Sequence, residues 1–221
     1  MKTLRSLLFV GLTLTITGAC SSPAAPTAPT PAPVVTAPTP LLPVLTLEPD
    51  TGSPVGESVA ITYGSRSQEA GKIVIAVTGF NLTNRRSATA VGVRGVIGAV
   101  RVDDAVLEYD AFGLGSLLGG NDGATFCDND TGGFRSFFPD TPDIYPFCVL
   151  SRSAANVTGS GELILIRFKP RPGVTSATTR VDLVPFQSNG YTTTLDMLPG
   201  PSTTNKIQNT YGATVTIRPG S

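Results

Sequence analysis

Histidine and tryptophan are both missing from the 221 residues. Without histidine the chain lacks the commonest general base at neutral pH, the commonest zinc or copper ligand, and the proton shuttle of most hydrolase triads. Without tryptophan, stacking on a pyranose ring would rest on the five tyrosines. An excess of charge is missing too: 16 basic residues balance 16 acidic ones, so there is no basic footprint for a nucleic acid. No apolar run reaches the roughly 20 residues that a membrane-spanning helix needs. Nucleophile elbow, phosphate loop and zinc signature are absent. These gaps direct attention away from catalysis and toward binding.

What is present begins with the layout of an export signal. Lys2 and Arg5 give a basic start, and Leu7 to Ile16 form a short apolar run. Gly18 and Ala19 then lead into Cys20. This arrangement resembles the lipobox of bacterial lipoproteins. The resemblance implies a signal peptide over residues 1–19, removed on export, and a diacylated Cys20 as the new N-terminus. Two or more acyl chains, at about 0.8 kcal/mol per buried methylene, suffice for stable anchoring. Ser21, standing where some diderm bacteria use Asp for inner-membrane retention, fits the outer membrane or cell surface. Ser21 to Pro43 reads SSPAAPTAPTPAPVVTAPTPLLP, uncharged and rich in proline. Proline fixes φ and removes donors, which predicts an extended polyproline II stalk over residues 20–44. At about 3.1 Å per residue it reaches up to roughly 70 Å. The alternative use of the tract is as a proline-rich ligand for another domain.

Residues 45–221 are long enough for one domain with its own core. Short β-branched and apolar stretches recur: SVAITY from Ser58, KIVIAVTGF from Lys72, VGVRGVIGAV from Val91, AVLEY from Ala105, ELILIRFK from Glu162, TRVDLVPF from Thr179 and ATVTIRP from Ala213. Turn signals separate them, among them Gly119-Gly120-Asn121, Gly159-Ser160-Gly161 and Asn189-Gly190. In ELILIRFK, Leu163, Leu165 and Arg167 alternate with Ile164, Ile166 and Phe168, the pattern of a strand with one deeply buried face. Only SLLGG from Ser116 offers a turn of helix. An all-β, two-sheet jelly-roll or immunoglobulin-like sandwich is the expected architecture.

With Cys20 assigned to lipid, Cys127 and Cys148 remain as a pair in an oxidising compartment. A disulfide between them closes a loop of about 20 residues and contributes roughly 3 kcal/mol in the chain-entropy description. The enclosed segment carries Phe134, Phe137, Phe138, Tyr145 and Phe147 among glycines, prolines and aspartates. Those aromatics either form a satellite core under the excursion or stay exposed as a docking patch for a protein.

Asp122, Asp128 and Asp130 are closely spaced among glycines and are candidate calcium ligands, although the spacing is not that of an EF-hand and solvated turns use the same residues. Asp103 and Asp104 are adjacent; on a strand they point to opposite faces, so a turn cap suits them better than paired catalysis.

The order of the strand motifs resembles that of the cohesin-like family. Asp104, Val106, Leu107 and Glu108 match the family's aspartate turn and "valine-leucine-glutamate" strand, while Gly161, Leu163, Ile166, Phe168 and Lys169 match its later glycine turn and strand. The resemblance spans about residues 59–217. It implies a nine-stranded sandwich related to some carbohydrate-binding modules, with the disulfide-closed stretch of about 113–150 as an insertion. Recognition of a dockerin is not carried by these structural motifs. The expected function is that of a non-catalytic envelope lipoprotein whose sandwich binds another protein, as an accessory subunit of a surface-layer or outer-membrane assembly. The alternative is a module for cell-wall or surface polysaccharide. Partners are then the membrane, through the lipid, and an envelope protein, without nucleic acid and without a required cofactor.

Overall fold

Among the described residues nine strands of six residues or more carry the fold, most of them where β-branched and apolar side chains are dense. The computed structural model describes residues 41–52, 54–66, 69–83, 92–127, 137–153, 155–188, 191–198, 206–207 and 209–220. The long strands are β1 (Val44–Pro49), β2 (Ser58–Tyr63), β3 (Ile73–Leu82), β4 (Gly95–Val102), β5 (Leu107–Leu114), β7 (Ile144–Ser151), β8 (Gly159–Pro170), β9 (Ala177–Leu183) and β15 (Ala213–Arg218). Shorter pieces are added: β6 (Ala124–Phe126), β10 (Phe186–Ser188), β11 (Tyr191–Thr193), β12 (Leu195–Leu198), β13 (Lys206–Ile207) and β14 (Thr210–Tyr211).

Two sheets face each other. The first runs β1-β15-β9-β4-β7-β6, with β12 and β13 extending it where β9 leaves β4 unpaired: β12 pairs Gly95 to Gly98, and β9 pairs Val100 to Val102. The second runs β14-β2-β3-β8-β5. Long-strand pairs are all antiparallel, as hairpins and longer returns permit. Ile73, Ile75 and Val77 of β3 and Ile164, Ile166 and Phe168 of β8 point inward against Val96, Val100, Val181, Val215 and Ile217 of the first sheet. Burial of each such side chain contributes about 1.5–3 kcal/mol. The all-β two-sheet sandwich is therefore the fold.

The strand ELILIRFK departs from its simple alternation. Leu165 points outward yet is 3% exposed, in a small second cluster with Val74 and Ala76 of β3. Leu163 joins the main core, because the β3–β8 ladder slips between Val77 and Thr78 and turns the following residue inward. The expected helical turn at SLLGG is displaced: Ser116 to Gly119 form a turn, and the short helix α1 is Gly120–Gly123, entered through Gly119 at φ +102°. β7 runs through Pro146, one of the prolines in the disulfide-enclosed segment. The carbonyl of the paired Ala99 accepts from Val184 on the far side, so Pro146 turns its donorless nitrogen to the free edge and no ladder bond is lost.

The first sheet also buries part of its outer face. Phe138 and Phe186 pack there at 4.6 Å between ring centroids, with Ala99, Ile144 and Val184, and Phe137 rests on Phe186 at 5.8 Å. This is a satellite core. Phe138, 7% exposed, and Phe147, 2% exposed and seated over Gly98, are consequently packing residues, which corrects the docking-patch expectation for these two.

Candidate functional site

β5 is one edge of the second sheet, and β7 with β6 forms one edge of the first. Where these edges lie opposite each other the sandwich opens into a cleft of about 540 Å³. β5 contributes Tyr109 and Phe112, β6 and its successor contribute Phe126 and Cys127, and β7 contributes Ile144 to Cys148. The rings form a connected track. Tyr145 stacks on Tyr109 at 5.5 Å and 24°, Tyr109 meets Phe112 at 4.8 Å, and Phe112 meets Phe126 at 6.2 Å. Tyr145 also sets its edge against the fully buried Phe168, which ties the track to the main core. Phe126 is 40% exposed, while Tyr109, Phe112 and Tyr145 are half-buried.

The disulfide fixes one wall. Cys127 and Cys148 are bonded with their Cα atoms 5.3 Å apart, and the Cys127 N–H donates to the Cys148 carbonyl at 3.0 Å, continuing the β6–β7 ladder by one step. β-strand side chains flanking Cys127 are thereby held in place, Phe126 first. Among the described residues Asp140, at the rim, is the one charged side chain in the cleft's lining. Burial pushes the Tyr109 and Tyr145 phenols up in pKa, so both remain neutral hydrogen-bond donors.

Charge is concentrated elsewhere and is paired. On the outer face of the second sheet, a cavity of about 640 Å³ is lined by Ser65, Arg66, Glu69, Phe112 and Arg167 among others. Arg167 bridges Glu69 and Asp110, and Lys72 lies 3.0 Å from Glu69 and 3.3 Å from Asp110. The Lys72 ammonium holds Glu69 below the usual carboxylate range; at Asp110 burial opposes ionisation, but Arg167 and Lys72 outweigh it and hold that carboxyl low as well. Across the molecule Arg180 grips Asp50 with both ends of its guanidinium, at 2.6 and 2.7 Å, and Asp182 at 2.7 Å. Asp103 caps its turn: its side chain accepts from the Ala105 N–H at 3.0 Å, and its carbonyl accepts from Val106 and Leu107. Asp104 turns to Arg171 at 3.3 Å.

Of the aromatics singled out in the sequence, Tyr145 and Phe147 line the cleft, Phe137 and Phe138 sit under the outer face of the first sheet, and Phe134 lies outside the described residues. Asp122 is exposed on α1, and Asp128 and Asp130 also lie outside the described residues. Among the described residues no three Cys, Asp or Glu gather as metal ligands, and no helix is long and apolar enough to cross a membrane. Cys20 falls outside the described residues too. Tyr109, Phe112 and Phe126 were not picked out as site residues. Their only mark in the sequence is a run of rings on edge strands, and that shows once the β5 and β6 edges are known to face each other.

No protein-family model matches the chain, and no curated protein matches it. Several solved structures do align with it. The sixth cohesin of scaffoldin B from Acetivibrio cellulolyticus, solved in complex with a Cel5 dockerin, aligns at TM-score 0.43 and 12% identity over 71% of this chain and 97% of that one. A type II cohesin domain from the cellulosome of the same organism aligns at 0.43 and 15%, over 72% and 92%. A non-cellulosomal cohesin from the archaeon Archaeoglobus fulgidus aligns at 0.39 and 14%, over 65% and 78%.

Proposed function

We propose that this chain is a non-catalytic, lipid-anchored protein of the cell envelope whose sandwich binds another protein through the cleft between β5 and β7. In this reading Cys20 holds the chain at the outer membrane or cell surface, residues 21–43 set its height, and the domain serves as an accessory subunit of an envelope assembly. The carrying observation is the track of Tyr145, Tyr109, Phe112 and Phe126 in a cleft walled by a disulfide and, among the described residues, lined by a single charged side chain. Aromatic anchors in a preorganised apolar depression, with polar groups at the rim, are what protein interfaces concentrate their energy on. The disulfide accords with export to an oxidising compartment.

The displaced carboxylates and lysine are not poised for acid–base chemistry. Asp50, Glu69, Asp110 and Asp143 are lowered, and Lys72 is raised, so each is driven further into its charged form. A general acid or base needs the opposite displacement, toward neutrality.

A photo-crosslinking amino acid at Phe126, compared in living cells with one at the exposed Val55, tests the site. The expected result is a discrete protein adduct from position 126 only. Identical adducts from both positions, or none, overturn the reading. Cys20→Ser tests the anchor: the variant should leave the envelope fraction, and continued sedimentation with it refutes lipidation.

A further inference from the structure

The triplet Asn-x-Ser/Thr, with x other than proline, is the acceptor of N-linked saccharide on exported chains. It occurs three times in this sequence, at Asn81-Leu82-Thr83, Asn129-Asp130-Thr131 and Asn156-Val157-Thr158. Asn129 lies outside the described residues, and the other two triplets meet in the fold. Leu82 at the end of β3 pairs with Gly159 at the start of β8, which sets the first triplet alongside the residues that follow Val157. Gly92 joins them. Its N–H donates to the Thr83 carbonyl at 2.7 Å, and a Cβ added to it would meet the Asn156 Cβ at 2.6 Å. Such a triplet arises easily by chance, so its placement decides whether it can be used.

In both triplets the middle residue points inward, and residues two apart share a face of an extended chain. Val157 packs against the main core and bridges Val93 through both of its backbone groups, at 2.7 and 2.9 Å. Asn156 and Thr158 therefore stand exposed on one face. Leu82 is fully buried in the same core, with Asn81 and Thr83 on its outer side. There the likeness ends. Asn81 has φ +52°, a left-handed conformation that a side chain adopts when its surroundings hold it there. Its N–H donates to Ser160 Oγ at 2.9 Å, and its Nδ2, the atom to be modified, donates to the Gly56 carbonyl at 3.0 Å. Thr83 is half-buried and its hydroxyl donates to the Glu57 carboxylate at 3.2 Å. A transferase takes up the amide and the hydroxyl of a triplet together. The first triplet must be drawn out of these contacts before it reacts, whereas the second carries both groups at the surface of the folded domain.

We propose, building on the reading of the chain as exported, that Asn156 is the acceptor of an N-linked saccharide. The donor class is a saccharide carried on a polyprenyl diphosphate. A bond forms between Asn156 Nδ2 and the anomeric carbon. The bond from that carbon to the diphosphate oxygen breaks, its electron pair leaves with the diphosphate, and Nδ2 gives up one proton. The lining of the aromatic cleft contains no asparagine, so a saccharide at 156 leaves the ring track to its protein partner.

The test is mass spectrometry of the chain recovered from its native envelope, intact and after proteolysis. The peptide that contains Asn156 should carry an added mass equal to a whole number of saccharide residues. Asn156→Gln and Thr158→Ala should each abolish that mass, Thr158→Ser should retain it, and Asn81→Gln should leave it unchanged. Equal Tm values for Asn156→Gln and the native sequence, both made without saccharide, separate loss of the acceptor from misfolding. Crosslinking from position 126 should persist in Asn156→Gln. An unmodified Asn156 in a chain that begins at Cys20 overturns the acceptor and leaves export standing. Chain that retains residues 1–19 and fractionates with the cytoplasm overturns export and the acceptor together. Saccharide on Asn81 with none on Asn156 refutes the choice between the two triplets.

Discussion

Replacing Cys127 and Cys148 together by alanine isolates what the disulfide does. The bonded residues are separated by 21 positions. Closing a loop of that size in the unfolded chain removes entropy equivalent to about 3 kcal/mol. The folded side changes little, because the cysteines already oppose each other at 5.3 Å between Cα atoms and share the Cys127 N–H to Cys148 carbonyl bond at 3.0 Å. Alanine is preferable to serine, since Cys148 is 5% exposed and a buried hydroxyl without a partner adds its own cost of about 1–3 kcal/mol. For a domain of this length about 3 kcal/mol corresponds to a fall in Tm of roughly 8 °C. Thermal unfolding followed by circular dichroism reads it directly. Reductant should lower the native chain to the same Tm and leave the double variant unchanged. A double variant melting within about 2 °C of the native chain refutes the loop-entropy reasoning, as does a variant whose near-ultraviolet spectrum is already lost at 25 °C.

Phe168→Ala removes a ring that is fully buried at the centre of the sandwich and underlies Tyr145 in the cleft; a loss of about 3–5 kcal/mol is expected in urea unfolding, a large share of a typical domain's stability. Gly115→Ala and Gly52→Ala form a matched pair: a Cβ at 115 meets the Glu162 carbonyl oxygen at 2.3 Å, whereas a Cβ at 52 meets nothing within 4 Å, so the first should destabilise by about 1–3 kcal/mol and the second by almost nothing. Equal midpoints for the two refute the close-approach argument. Asp50→Asn removes the carboxylate whose pKa is lowered by its hydrogen bonds to Arg180. A lowered folded pKa stabilises above the ordinary carboxylate value and ceases to do so as pH falls through the folded one. The variant should therefore be less stable by under about 1 kcal/mol at pH 7, as suits an exposed pair, and equal to the native chain near pH 2. A difference that persists unchanged at pH 2 assigns the effect to something other than the ion pair.

Much of the sandwich was legible because strand periodicity is a local signal. SVAITY coincides with β2, and ELILIRFK and ATVTIRP fall within one to three residues of β8 and β15. What was not legible depends on which strands become neighbours. The bulge that turns Leu163 inward belongs to the pairing of β3 with β8, which neither strand shows alone. Arg167 and Glu69 are 98 residues apart, and Arg180 and Asp50 are 130 apart, so their ion pairs follow from sheet order rather than spacing. The cleft has the same origin. Tyr109 and Tyr145 read separately as a strand residue and a loop residue, and they stack because the β5 and β7 edges are left facing each other.

The strand registers also decide where the chain enters and leaves the sandwich. Val44 of β1 pairs with Arg218 of β15, and Ala177 of β9 with Ile217, so the chain joins and leaves the sandwich at one end. Leu107 pairs with Pro170 and Ile73 with Phe168 at that same end, which therefore carries the tight turns after β2, β4 and β8. The connections after β1, β3, β5, β7 and β9, among them α1 and the β10–β14 pieces, emerge at the other end.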